Sequence, residues 1–279
     1  MERSPPHAET VCNMIYFLTS QSLWLSGGIL IGLGGALSML GPGLVRRYVT
    51  LDRLTANNEI AGFKYATLGV LYAVFLAFAI IVVWQKFSDA EADVVQEAGA
   101  ATTIYRLSQG MDEKSGADIR SAVTAYLKVA IADDWPAMDH GVAGASRTAR
   151  QALDAIYTAL LASEPAERTG NPVMAELLHQ LDVMTQARRS RLIAAEGSVP
   201  GIIWVVLFGG AVVAIVFTFF FGTRNLRAQV MMTGLLAVMI FAELLIIVAI
   251  DRPFTGSVKV EPTALADVLA DFEADSGQK

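Results

Sequence analysis

Between Tyr65 and Trp84 the chain runs for twenty residues without a charge. At a helical rise of about 1.5 Å per residue this run is about 30 Å long, the thickness of a bilayer's hydrocarbon core. It therefore predicts a membrane-spanning helix. Beyond Trp84 no proline or turn cluster interrupts the chain before Gln109, and Phe87, Val94, Ala98, Ala101 and Leu107 continue at helical spacing among acids. The pattern predicts one helix that crosses the membrane and keeps going, about fifty residues and roughly 75 Å in all.

Three further apolar runs fix the rest of the plan. Leu23 to Val45 is uncharged but carries Gly27, Gly28, Gly32, Gly34, Gly35, Gly41, Pro42 and Gly43; Gly201 to Phe221 is uncharged; Val230 to Ile250 holds one charge, Glu243. Trp24, Tyr65, Trp84, Trp204 and Phe221 mark span edges, where aromatic rings favour the headgroup layer. A content of 54% hydrophobic residues fits four spans, and a net charge of −6 excludes a nucleic-acid footprint. Ahead of the first span stand Glu2, Arg3 and Glu9 rather than a basic cluster, so a cleaved signal is not expected. The one cysteine, Cys12, excludes an intrachain disulfide framework.

Spacing then divides the chain into an N-terminal segment 1–22, spans at 23–45, 65–84, 201–221 and 230–250, short loops at 46–64 and 222–229, a middle segment 85–200 and a tail 251–279. The middle segment carries helix punctuation: Ser115 before Ile119, Val123, Tyr126 and Leu127, Ser146 before Leu153, Ile156, Tyr157 and Leu160, and Asn171 with Pro172 before Leu177, Leu181 and Met184. No hairpin signal or useful period-two run appears. The expected fold class is an all-α membrane protein of four transmembrane helices, with a helical soluble domain inserted between the second and third. Pro262 opens a tail helix whose Leu265, Val268, Leu269 and Phe272 form one face, which should dock on that domain.

Asn58, Gly62, Phe63, Tyr65, Ala66, Gly69, Val70, Tyr72, Ala73, Val74, Leu76, Ala77, Phe78 and Trp84, followed by Phe87, Ala90 and Glu91, resemble the signature of the bestrophin-like domain family of membrane proteins. Trp135 with Pro136, the run Arg188, Arg189 and Arg191, and Asp251, Arg252, Pro253, Phe254 and Gly256 look like further blocks of that family, so the resemblance covers about Asn58 to Gly256. It implies kinship with the bestrophins: oligomeric chloride-type channels with four membrane segments per subunit, a pore lined by the second, and a cytosolic soluble part. No acidic cluster resembling the bestrophin calcium clasp is present, so calcium gating does not carry over.

Against that background four sets of residues stand out. Leu71, Phe75, Phe78 and Val82 fall at steps of four, three and four, on one face of the second span. Repeated around a symmetry axis they make a hydrophobic constriction that gates by dewetting; otherwise the stripe packs or meets lipid. Glu243 lies seven residues from the end of the fourth span, about 10 Å deep, where an ionised carboxylate is expensive. It is either protonated and bonded to a neighbour such as Thr218, or it lines water and binds a cation or proton. Asp93 and Glu97 on the ascending helix match the height of Arg188 and Arg191 on the descending one, as a structural brace or as a charged vestibule. Gly28 with Gly32, and Gly209 with Gly210, offer sites of close helix contact.

Enzyme chemistry has little footing here. His7, His140 and His179 are scattered, and no HExxH, Walker or GxSxG pattern occurs. Asp133, Asp134, Asp139 and His140 form one compact set of possible metal ligands, which a solvated interhelical loop explains better. No cofactor is expected, and the expected partners are membrane lipids, inorganic ions and further copies of the chain. Two functions remain: an oligomeric ion channel with a pore lined by the second span, or a membrane-anchored interaction or sensory module without conduction.

Sidedness is contested between two arguments. Arg46, Arg47, Arg53, Lys64, Arg224 and Arg227 in the short loops favour cytoplasmic loops and an extracytoplasmic middle segment, in the inner membrane if the source is bacterial. The family resemblance implies the opposite. On the loop-charge reading, Ser146→Cys reacts with an impermeant thiol reagent in intact cells; reaction only after lysis reverses the assignment.

Overall fold

The structure, a computed structural model, describes residues 22–56, 58–141, 146–163, 171–197 and 199–277; Cys12, His7 and Asn57 lie outside this set. The described residues are mostly helical, with no strand among them. Four helices among the described residues are long and apolar enough to cross a membrane: α1 (Leu23–Tyr48), α2 (Asn58–Leu107), α7 (Gly201–Phe219) and α8 (Leu226–Ile250). Between α2 and α7 lie α3 (Glu113–Val129), α4 (Trp135–Asp139), α5 (Arg147–Leu161) and α6 (Pro172–Ala194), and α9 (Thr263–Gly277) closes the chain. As the unbroken apolar and amphipathic pattern predicts, α2 is one helix of 50 residues.

Two compact units emerge. The first comprises residues up to Gln85, Ser198–Asp251 and Gly256–Val258; the second comprises Lys86–Gly197, Arg252–Thr255 and Lys259–Lys279.

In the first unit, α1 packs along α8 and α7 lies against both. Glycines set the approach, though not the pair with GxxxG spacing. A Cβ added at Gly34 would stand 2.6 Å from the Phe241 ring, whereas Gly28, Gly32 and Gly209 face open space. Gly210 admits the Tyr72 ring, and the Tyr72 hydroxyl donates to the Leu207 carbonyl at 2.8 Å, joining α2 to α7. Tyr65 packs its ring on Phe217 and Phe221 at centroid distances of 5.5 and 5.7 Å.

Side chains satisfy the backbone at the turn between α7 and α8. Asn58 holds Gly222 from both sides, its Nδ2 donating to the carbonyl at 2.6 Å and its Oδ1 accepting from the N–H at 2.9 Å. Asn58 is thus the first residue of α2 and a clamp on the α7–α8 turn. Asn225 caps α8, accepting from the Ala228 N–H at 3.3 Å, which starts that helix four residues before the predicted span at Val230.

In the second unit, α2, α3, α5 and α6 surround a core that includes Ile104, Ile119, Leu127, Ile156, Leu177 and Leu181. Asn171 caps α6 as its spacing predicts, accepting from the Val173 N–H at 2.9 Å. Asp112, not Ser115, caps α3, because its carboxylate reaches the N–H groups of Lys114 and Ser115 at 3.0 and 3.2 Å. The face expected of α9 is buried through Leu265 and Phe272, and Phe272 stacks on Tyr105 at 3.8 Å. Between α3 and α4 a π-helical turn, Ala130–Asp134, carries the chain without a break.

Gly222 gives a sharp test of the first unit, since a Cβ there would stand 2.7 Å from the Thr55 nitrogen and 2.8 Å from the Leu54 carbonyl carbon. Backbone cannot yield as a side chain can. Gly222→Ala should lose about 1–3 kcal/mol through overpacking, read as a lowered thermal midpoint in detergent, while Gly28→Ala should leave the midpoint unchanged.

Candidate functional site

Within the first unit, α2 buries Leu76 and Val83 and leaves its other side open. Leu71, Phe78 and Val82 are 69%, 64% and 51% exposed, whereas Phe75 is half-buried at the border. At about 100° of turn per residue, the four residues span roughly 60° around the helix, so they form one wall without a charge.

Glu243 sits elsewhere. It is half-buried on α8, within electrostatic reach of Tyr72, which belongs to the packed flank of α2 rather than to the exposed wall. Thr218 is not its partner, because the Thr218 hydroxyl donates to the Ile215 carbonyl at 2.6 Å and faces the Thr233 hydroxyl at 3.3 Å. The carboxylate makes no ion pair among the described residues.

The second unit contains the most elaborate polar arrangement, a buried network of four charges. Arg191 Nε donates to Glu97 Oε2 at 2.7 Å and Nη2 donates to Oε1 at 3.1 Å, a two-pronged fork with both side chains fully buried. Arg191 Nη2 also reaches Asp134 Oδ2 at 3.4 Å. Arg188, three residues earlier on the same helix face, grips Asp134 through Nε at 3.1 Å and Nη2 at 2.9 Å. Ser146 N–H donates to Asp134 Oδ1 at 3.1 Å, and the Tyr126 hydroxyl donates to Glu97. The Arg191 guanidinium lies 4.4 Å over the Trp135 ring and touches Met138 sulfur at 3.6 Å, so cation–π attraction adds to the charge pairing.

Electrostatics follow from this geometry. Burial alone would lower the Arg191 pKa, but the charge and hydrogen bonds of Glu97 overturn that and raise it, so the cation is permanent. Burial and the neighbouring Glu97 push the Tyr126 phenol well above its ordinary value, which keeps it a proton donor.

Sequence spacing paired the acids of α2 with the arginines of α6, and the structure joins Glu97 to Arg191. Asp93, one turn earlier, is half-buried and makes no ion pair among the described residues. Asp134 corrects the solvated-loop reading of Asp133, Asp134, Asp139 and His140. It is fully buried, Asp133 lies near the Ser146 hydroxyl at 3.4 Å, and Asp139 pairs with Lys259 at 3.0 Å. No cluster of three metal-ligating residues occurs among the described residues. One signal did point inward: Tyr126, Ala130, Asp134 and Met138 recur every four residues, continuing the apolar face of α3.

Comparison with family models matches residues 35–265 to the Bestrophin-like domain. The chain belongs to that family. Among solved structures, a bacterial bestrophin homolog from Klebsiella pneumoniae carrying one mutation aligns with a TM-score of 0.69 at 15% identity, over 90% of this chain and 98% of that one. A second mutant of that homolog gives 0.69 at 15% identity, covering 90% and 99%. A crystal structure described as a membrane protein gives 0.66 at 14% identity, covering 88% and 97%. Curated proteins give no match. At these identities the likeness is one of fold, and this bestrophin-like chain is an integral membrane protein with four candidate spans.

Breaking a buried pair by deleting one partner leaves the other charge uncompensated, at a cost of about 3–5 kcal/mol. Arg191→Met in the bestrophin-like chain should therefore lower the thermal midpoint sharply in detergent. The double variant Arg191→Met with Glu97→Leu should recover most of the loss.

Proposed function

We propose that this chain is one subunit of an oligomeric ion channel, with α2 lining the axial pore and the second unit in water. The observation that carries the proposal is the wall of α2: one flank buries Leu76 and Val83 within the subunit, and the other presents Leu71, Phe78 and Val82 outward without a charge. Membership in the Bestrophin-like family supports placing that wall at a symmetry axis. A ring of Phe78 side chains with Leu71 and Val82 above and below is a hydrophobic constriction, in which water and ions are stable only when the ring widens.

Glu243 takes a different place in this proposal. Its neighbour Tyr72 stands about 100° around α2 from Leu71, so the carboxylate belongs to the interior of the subunit rather than to the ring. It serves helix packing instead of selecting ions. The charged network of the second unit likewise braces its helices, since Glu97, Asp134 and Arg191 are closed to solvent.

Reconstitution in liposomes tests both assignments. Phe78→Ala should raise ion flux severalfold with the subunit number unchanged, and unchanged flux removes the constriction. Glu243→Gln should leave the reversal potential unchanged; a shifted reversal potential moves Glu243 into the conduction path. A monomer or dimer without an axial path would favour a membrane-anchored interaction module.

A further inference from the structure

A cleft of about 570 Å³ opens between α5 and α6 in the second unit, with Arg150, Tyr157, Thr185, Arg188 and Arg189 in its lining. That volume falls in the range of small-molecule sites. We propose that it binds a small organic anion, an oxyanion group on an apolar body, with Arg188 as the anchor at its floor.

Arg188 carries the argument. It is only 5% exposed, and two of its three guanidinium nitrogens, Nε and Nη2, are committed to Asp134 at 3.1 and 2.9 Å. Nη1 has no acceptor among the described residues, and Arg188 is one of the residues that line the cleft. A guanidinium held rigid from behind, with one N–H edge open, is preorganised for an oxyanion: the ligand immobilises no long side chain when it binds. Burial strengthens the interaction, because little water competes for that edge.

The walls define what accompanies the oxyanion. Arg150 on α5 and Arg189 on α6 are exposed and take part in no ion pair among the described residues, although Asp154 and Glu196 share the rim. Two exposed cations therefore flank one fixed cation. Leu153 is buried, Leu192 is half-buried and Ile193 is 61% exposed, which gives the cleft an apolar side. The hydroxyls of Tyr157 and Thr185 meet at 3.1 Å across the two helices and close the cleft between those faces. The two rim carboxylates repel a bare, highly charged ion, whereas a singly or doubly charged group with a hydrophobic body gains from both the guanidinium groups and the leucine wall.

The site also touches the buried network, since Asp134, the partner of Arg188, accepts from Arg191 at 3.4 Å. An anion on Nη1 competes for the same guanidinium charge that balances Asp134. Occupancy of the cleft is therefore felt at the centre of the second unit through one shared carboxylate.

Binding by the purified full-length protein is read by isothermal titration and by ligand-observed NMR, with benzoate and phenyl phosphate as probes, benzamide as the neutral control and inorganic phosphate as the bare anion. Saturable binding of at least one aromatic anion, none of benzamide, and at least a tenfold weakening in Arg150→Gln are expected, the loss of one charge-assisted hydrogen bond. Arg150 is exposed and unpaired, so this variant should keep the wild-type thermal midpoint. No saturable binding of either aromatic anion, or full affinity in Arg150→Gln, overturns the site. Inorganic phosphate binding as tightly as phenyl phosphate overturns the apolar part of the ligand. Arg188→Lys, which retains charge but loses the fork, should abolish binding; retained affinity there removes Arg188 as the anchor.

Discussion

Hydrocarbon offers a peptide group nothing to bond with, and that constraint governs the first unit down to its turns. Backbone hydrogen bonds must close inside each spanning segment, which is why the apolar runs are helices. At the α7–α8 turn, the orphaned groups are met by side chains rather than left to solvent. Asn58 takes both backbone groups of Gly222, Asn225 caps α8, and Gln229, almost fully buried, donates to the Phe221 carbonyl at 2.5 Å and accepts from Arg46 at 2.8 Å. The α7–α8 turn is therefore defined by polar side chains from three helices.

The second unit solves a different problem. Its helices are amphipathic and carry an ordinary apolar core, but four charges are enclosed within it. Such burial is tolerable only because the acids and arginines balance and nearly every lone pair is answered: Glu97 by Arg191 and Tyr126, Asp134 by Arg188, Arg191 and the Ser146 N–H. Replacing the set with hydrophobic residues would cost little, whereas removing one member costs much. The network is therefore weak evidence of net stability, even though losing one member is costly.

Much of this was legible in the residues. Hydropathy alone located the four spans, because bilayer thickness converts to residue number with little ambiguity. The continuity of α2 followed from the absence of a breaker, and the α6 cap from Asn171 with Pro172. The start of α8 was less visible, since Arg227 and Gln229 read as loop until the Asn225 cap is seen. Glycine spacing marks places that permit close approach, while the approach within one chain depends on which bulky ring arrives, as Tyr72 does at the expected Gly210. Gly34 and Gly210 received Phe241 and Tyr72, and Gly28 received nothing. For the charges, helix height matched Asp93 and Glu97 with Arg188 and Arg191 without choosing among them, and Asp134 hid behind its neighbours. A cluster reading DDWPAMDH looks solvated when counted by composition, and only the four-residue period from Tyr126 reveals which of its acids turns inward.

That inward turn depends on the π-helical segment Ala130–Asp134. A π turn holds one residue more than the α-helix around it, so it shifts everything after it by about 100°. Asp134 closes that segment, and Trp135 and Met138 follow it. The segment is consequently sensitive to length rather than to identity: exchanging Ile131 or Ala132 for another residue keeps the phase, while losing a single residue rotates Asp134 off Arg188 and Arg191 together. Related chains that differ by one residue here would not share this network, however similar their remaining sequence.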